Sequence, residues 1–287
     1  MKGGENAATA AAERLLRERS ITTLPVSPFE LAAADGIEVQ GADLAGASGV
    51  LLCSGGTFGI LFARTGRNEA FQRFSVAHEL GHYRLPGHPE ALFAEGDVHR
   101  SHAGFESVAS YEVEADHFAA GLLMPRQLFK AAVLRGGDGL DAIQAAAAAC
   151  ETSLTATAIR YAQCADEPIA VVVSSGRRID YCFMSDELKE ASDVTWIRKG
   201  EPVPRESLTY RFNASANRVR TAERDEAASD LRLWFGGGRE RELVEQVIGL
   251  GAYGKTLTVL SGLAPLNDED DEDEDALEES WTPRFRR

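Results

Sequence analysis

The 287-residue chain lacks the features that would place it in a bilayer or an oxidising compartment. It has no run of roughly twenty apolar residues for a membrane helix. Its opening Met1-Lys2-Gly3-Gly4-Glu5 leads into an Ala-rich amphipathic segment, not the apolar core of a signal peptide. A cytoplasmic protein with no membrane partner is expected. Cysteine is sparse: Cys53, Cys150, Cys164 and Cys182 stand far apart with no C-x-x-C spacing. That spacing argues against a thiolate zinc site or a redox pair and predicts reduced core thiols. Positive charge is scarce as well, 30 Lys and Arg against 45 Asp and Glu, for a net charge of -15. Ten of the acidic residues fall between positions 268 and 279 with no basic residue among them, leaving the rest of the chain near -5. So dense a block of like charge repels itself, and a disordered acidic tail is expected over 265–287.

What is present is 44% hydrophobic residues, enough to bury a core divided among two or three small domains. No internal repeat is visible. The pattern over 7–17 predicts a first helix. Ser27-Pro28-Phe29-Glu30 reads as a capping box with proline at the first helical position, opening a short helix that ends at Gly36. Apolar runs at 37–40, 49–53 and 57–62, punctuated by Gly55-Gly56, predict a small antiparallel sheet. A helix is predicted over 69–85, stopped by Pro86-Gly87, and another over 110–124, stopped by Pro125. Between them 88–110 is polar, long for a connection, and reads as a functional loop or one holding a short helix. Residues 126–165 read as short helices. Beyond them 169–173 and 179–183 predict a hairpin, 208–212, 231–235 and 256–260 further strands, and 240–248 a helix.

Two of the six histidines, His78 and His82, stand four apart on the 69–85 helix. They lie about 40° from each other around its axis, so their imidazoles converge where one zinc ion can bridge them. Glu79 is placed beside that face as a general base: a water whose pKa the metal lowers gives its proton to the carboxylate, which delivers it to a leaving amine. A third ligand is needed. His88 stands six residues after His82, but Leu85 occupies the place of the glycine that a metzincin turn requires. The helix at 110–124 offers a carboxylate instead. Its apolar stripe is Tyr111, Ala115, Phe118, Ala119, Leu122 and Leu123, and Glu112 falls within it, whereas Glu114, His117 and Gly121 fall on the opposite face, where water is expected. An inward carboxylate is costly unless paired or bound to a metal. The alternative partner for Glu112 is an arginine such as Arg73 or Arg84. Asp116, one turn on, is placed to accept the free ring N–H of a ligating histidine.

Phe74-Ser75-Val76-Ala77-His78-Glu79-Leu80-Gly81-His82, followed by Glu112-Val113-Glu114-Ala115-Asp116-His117-Phe118-Ala119-Ala120-Gly121-Leu122-Leu123-Met124-Pro125, resembles the ImmA/IrrE family of bacterial metallopeptidases. The resemblance implies His78, His82 and Glu112 as metal ligands and Glu79 as catalytic base. It implies a zinc endopeptidase that cleaves a helix-turn-helix repressor and so induces stress-response or mobile-element genes. Zinc is the expected metal, and manganese also fits a His/His/Glu set. The fold class expected is α+β: a zincin-like metallopeptidase domain over 1–128, a helical helix-turn-helix-like segment over 129–166, a GAF-like α+β domain over 167–264 and the acidic tail. The alternative function is a non-catalytic transcriptional regulator or sensor with a structural zinc site.

Lesser candidates are His99, His102, Tyr83 and Tyr111, any of which could stabilise an oxyanion near the site; His88 reads as a loop residue and His117 as a surface one. Direct DNA binding is not expected, because the 129–166 segment has few basic residues, Arg160 chief among them. The partner expected is a protein substrate.

Overall fold

The computed structural model describes residues 2–64, 68–94, 96–101, 109–191, 194–237 and 241–263. The acidic tail and His102 lie outside them. The chain forms two compact units that divide between Cys164 and Ala165. Among the described residues no helix is long and apolar enough to cross a membrane.

In the first unit, α1 (Lys2–Glu18) is followed by α2 (Pro28–Ala34), where Ser27 caps the helix by accepting from the Glu30 N–H and proline takes the first turn, as its spacing predicts. Three strands follow: β1 (Glu38–Ala42), β2 (Gly49–Ser54) and β3 (Thr57–Ala63). Gly55 and Gly56 both adopt positive φ, 59° and 82°, which closes the two-residue β2–β3 hairpin. The sheet is mixed where an antiparallel one is expected, because β1 pairs with β3 in parallel. Residues 43–48 carry the chain past the place β3 will fill, and the hairpin then lays β3 beside β1.

Next come α3 (Glu69–Arg84), the short α4 (His88–Leu92) and β4 (Val98–Ser101). Strand β4 pairs antiparallel with β2 and completes the order β1-β3-β2-β4. It is a strand the polar 88–110 stretch did not announce. Helix α5 (Ser110–Leu123) then packs against α3, and α6 (Arg126–Gly136), α7 (Gly139–Cys150) and α8 (Leu154–Cys164) complete the unit. These last three helices, expected as a separate segment, lie within the first unit, where Arg160 donates to the Met124 carbonyl at 3.0 Å.

Helix α5 is held on two faces by glycines. A Cβ on Gly81 of α3 would sit 3.1–3.3 Å from Phe118 and Ala115, and one on Gly121 would sit 3.0–3.3 Å from Thr9 of α1. The face of α5 carrying Gly121, where water was expected, is therefore covered by α1. Phe118 is buried against Gly81 of α3, a side chain whose removal from water contributes about 1.5–3 kcal/mol.

The second unit is built on β5 (Ala170–Ser175), β6 (Arg178–Met184), α9 (Asp186–Glu190), α10 (Leu208–Phe212), α11 (Ala216–Arg220), β7 (Arg224–Asp230), α12 (Leu231–Phe235), β8 (Glu242–Gly249) and β9 (Thr256–Ser261). Its strands form one antiparallel sheet in the order β6-β5-β9-β8-β7. Leu188, Trp234 and Phe235 pack with Val172 and Leu260, and Leu208, Phe212 and Val219 pack with Val247. Three expectations are corrected here. The runs at 208–212 and 231–235 are single helical turns, each started by a capping side chain: Ser207 accepts from Tyr210 N and Asp230 from Arg232 N. The helix expected at 240–248 is β8, whose inward residues Leu243, Glu245 and Val247 alternate with outward ones. Buried Glu245 accepts from the Thr209 N–H at 2.7 Å, the Thr209 hydroxyl at 2.6 Å and Trp234 Nε1 at 3.4 Å.

The four cysteines are free, Cys150 and Cys164 buried and Cys53 and Cys182 half-buried. Burial pushes the Cys150 thiol up to about 11 and the Cys182 thiol up to about 12, away from the thiolate chemistry of reactive cysteines.

Candidate metal centre

Asn68 starts α3 by accepting from Phe71 N, and the helix presents a continuous buried stretch from Phe74 to His82. His78 and His82 point the same way, their Nε2 atoms 3.0 Å apart. From α5, which Gly81 lets approach closely, Glu112 adds its carboxylate: Oε2 lies 3.3 Å from His78 Nε2 and Oε1 3.3 Å from His82 Nε2. The expected arginine alternatives are engaged elsewhere, Arg73 with Glu151 and the Val26 carbonyl, Arg84 with Asp35.

Three donors at these separations fit a single tetrahedral ion. Zinc-to-ligand distances of about 2.0–2.1 Å put neighbouring ligand atoms about 3.3 Å apart at tetrahedral angles. The carboxylate and imidazole chemistry fits as well: the buried Glu112 Oε2 makes no hydrogen bond of good geometry among the described residues and has His78 Nε2 beside it at 3.3 Å. Two buried imidazole nitrogens held face to face otherwise need a proton between them. In the metal-free chain burial pulls His78 down, but Asp116 and Glu112 outweigh it and push it up to about 10. Burial lowers His82 to about 4, against the pull of Glu112. Burial also works against the Glu112 carboxylate, yet His78, His82 and His99 together hold it far below the usual range.

Glu79 projects towards the sheet, against Gly49 of β2. It is fully buried, and neither carboxylate oxygen has a hydrogen-bond partner among the described residues. Gly49, the first residue of β2, makes room for it: a Cβ there would lie 2.3 Å from Glu79 Oε1 and 2.9 Å from Cδ and Cγ. Burial pushes this carboxyl up to about 7, with His78, the nearby Ser101 hydroxyl and His99 pulling the other way. A carboxylate near neutrality beside a metal site is the state that acid–base work requires.

Around these groups is a ring of supporting contacts. Asp116 Oδ1 accepts from His78 Nδ1 at 2.8 Å. His99, on β4 and not in a loop, lies with Nε2 3.0 Å from Glu112 Oε1. His88 is not the loop residue its position suggested. Gly87, at φ 83°, turns the chain after Pro86 so that His88 opens α4 fully buried, its Nδ1 3.0 Å from His82 Nδ1 and its Nε2 3.2 Å from Glu114 Oε2. Tyr83 packs edge-on against Phe58, and Tyr111, 40% exposed, packs edge-on against His88. His117 is half-buried on α5, with its carbonyl receiving the Thr9 hydroxyl at 3.4 Å. Sequence reasoning missed Gly49 and the buried place of His88, and both depend on how a turn and a strand register fold back on α3.

Two helices bring a His-Glu-x-x-His turn and a distant glutamate to one point, and His78, His82 and Glu112 there form a group that could hold a metal ion. The chain carries an IrrE N-terminal-like domain of the Peptidase_M78 family, matched over residues 32–161. No curated protein matches the chain. Among solved structures it is similar to a Mycobacterium tuberculosis transcriptional regulator, with 14% identity and a TM-score of 0.57 over 89% of this chain and 76% of that one. That likeness is one of fold.

Proposed function

We propose that the chain is a zinc-dependent endopeptidase whose protein substrate is a helix-turn-helix transcriptional repressor, cleaved to induce stress-response or mobile-element genes. The observation that carries the catalytic reading is Glu79: a fully buried carboxylate with no ion pair and no hydrogen bond of good geometry among the described residues, given space by Gly49 and next to the ligand candidate His78 in the chain. A purely structural metal has no use for such a group.

His78, His82 and Glu112 would hold the metal, leaving a fourth position for water and substrate. Bound there, zinc supplies Lewis acidity to the scissile carbonyl and lowers the pKa of water. Glu79 takes the proton from the attacking water and returns it to the leaving amine. Asp116 keeps the His78 ring oriented. Among the described residues strand β4 ends the sheet, and its outer edge would take an extended substrate segment by strand addition. The repressor as substrate rests on the family resemblance, and the fold-level likeness to a transcriptional regulator agrees with a role in gene control. For the second unit we propose a sensor-like, GAF-type role, supported by its own sheet and core.

The rival is a regulator whose zinc is closed off by four protein ligands. His88, one candidate for the fourth, faces the Nδ1 side of His82, away from the donor cluster, whereas His99, its Nε2 3.0 Å from Glu112 Oε1, is the nearer candidate. Co-expression with a neighbouring regulator, read by mass spectrometry, tests the reading. Wild type is expected to cleave it, and Glu79→Gln to retain zinc while losing about 10²–10⁴-fold in rate. Cleavage by Glu79→Gln at the wild-type rate would falsify the mechanism.

A further inference from the structure

His82 and His78 are supported in different ways. The Nδ1 of His78 meets a carboxylate, Asp116, directly. The Nδ1 of His82 meets another imidazole, and only beyond it a carboxylate. With Nε2 of His82 turned to the donor cluster as a lone pair, its proton sits on Nδ1 and must be donated outward. The acceptor 3.0 Å away is His88 Nδ1, which can accept only if His88 carries its own proton on Nε2; that proton then points at Glu114 Oε2, 3.2 Å away. One arrangement of protons satisfies every atom in the row.

We propose that His88 and Glu114 form a positioning relay behind His82, fixing its tautomer and ring orientation for metal binding through a neutral histidine whose far nitrogen is anchored by a half-exposed carboxylate. The inference rests on the metal reading of His78, His82 and Glu112. His88 is fully buried, so its ring has no water to accept from in place of His82, and the Tyr111 ring closes the space beside it at 4.7 Å between centroids. Glu114 retains 34% of its side-chain exposure, so the relay ends at the surface. Neither residue touches the donor cluster. They act only through His82.

Zinc affinity, measured on the full chain by competition with a chromogenic chelator, tests the relay without needing a substrate. His88→Phe fills the space with no acceptor and is expected to weaken zinc binding about 10–100-fold, the usual cost of losing a group that orients a ligand. His88→Asn places an amide oxygen near the Nδ1 position and is expected to recover most of that affinity, which packing alone would not predict. Glu114→Ala, at a partly exposed position, is expected to weaken binding several-fold and keeps the test open if His88→Phe does not fold. Cobalt substitution adds a spectroscopic reading: the ligand-field bands of His88→Phe should shift from wild type and those of His88→Asn should return. Zinc binding by His88→Phe or Glu114→Ala at wild-type strength overturns the relay while leaving the centre intact. Failure of the wild type to bind zinc overturns both.

Discussion

Replacing Gly49 with alanine adds one methyl group to the first residue of β2, at a backbone conformation any residue can adopt. Its Cβ would lie 2.3 Å from Glu79 Oε1, where ordinary contact begins at 3.4 Å, so about 1 Å of movement is demanded of one side or the other. The strand cannot easily supply it. Gly49 is registered with Phe62 on β3 and with Ser101 on β4, held between two neighbours. The carboxylate therefore moves, and a misplacement of about 1 Å in a catalytic group costs roughly 100-fold in rate. Overpacking also costs about 1–3 kcal/mol of stability, so the comparison is made well below the unfolding midpoint. The assay is turnover of whichever member of a peptide library the wild type cuts fastest, with zinc content measured on the same samples. Full zinc with a loss of about two orders of magnitude is expected, because the three atoms nearest an added Cβ all belong to Glu79. Wild-type turnover by Gly49→Ala would refute the claim that this strand sets the position of the base.

Asp116→Asn keeps an acceptor for His78 Nδ1 but removes its charge, and zinc affinity should fall about tenfold by chelator competition; no change would remove Asp116 from the site's support. In the metal-free chain the raised His78 contributes stability that is complete below its ordinary 6.5 and lost as pH climbs towards 10. Zinc must displace that proton, so affinity should rise with pH across this window by up to about tenfold per unit, and a flat profile would count against a protonated His78. Glu245→Ala leaves the Thr209 N–H and the Trp234 N–H without their buried acceptor, while the Thr209 hydroxyl can still donate to Thr258 Oγ1 at 2.7 Å, at a cost of about 2 kcal/mol or more. Denaturant unfolding followed by tryptophan fluorescence should move accordingly; an unchanged midpoint would mean the carboxylate is dispensable.

How much of this was legible in the sequence depends on the range over which each signal acts. The spacing of His78, Glu79 and His82 is local to one helix, and so is the wheel that turns Glu112 and Asp116 inward, so the structure brings together residues that periodicity had already grouped. Ser27 and the Gly55-Gly56 turn are equally local. The misplaced elements are those where a short apolar run has two solutions. At 208–212 and 231–235 five residues carry no usable period, and the deciding signal is the preceding Ser207 or Asp230, a cap that can be read only by someone looking for a single turn. At 242–249 the charge of Glu245 masked a period of two, because an inward carboxylate does not look like a core residue until Thr209 and Trp234 are brought to it. Gly49 and His88 could not have been assigned at all without the fold. Their roles come from a strand register and a turn that place them against α3.

The span matched to the family begins at residue 32, whereas α1 ends at Glu18. A fragment cut to that boundary would keep every donor and the base, yet it would strip the helix whose Thr9 lies against Gly121. The second helix of the metal centre would then present a bare, small-residue groove to solvent along its back. Such a fragment should be prone to self-association and should hold its glutamate less firmly in place, even though a comparison of motifs would call it whole. The smallest portion that behaves as this protein's first unit is set by what supports α5 from behind, and that support comes from outside the recognisable family segment.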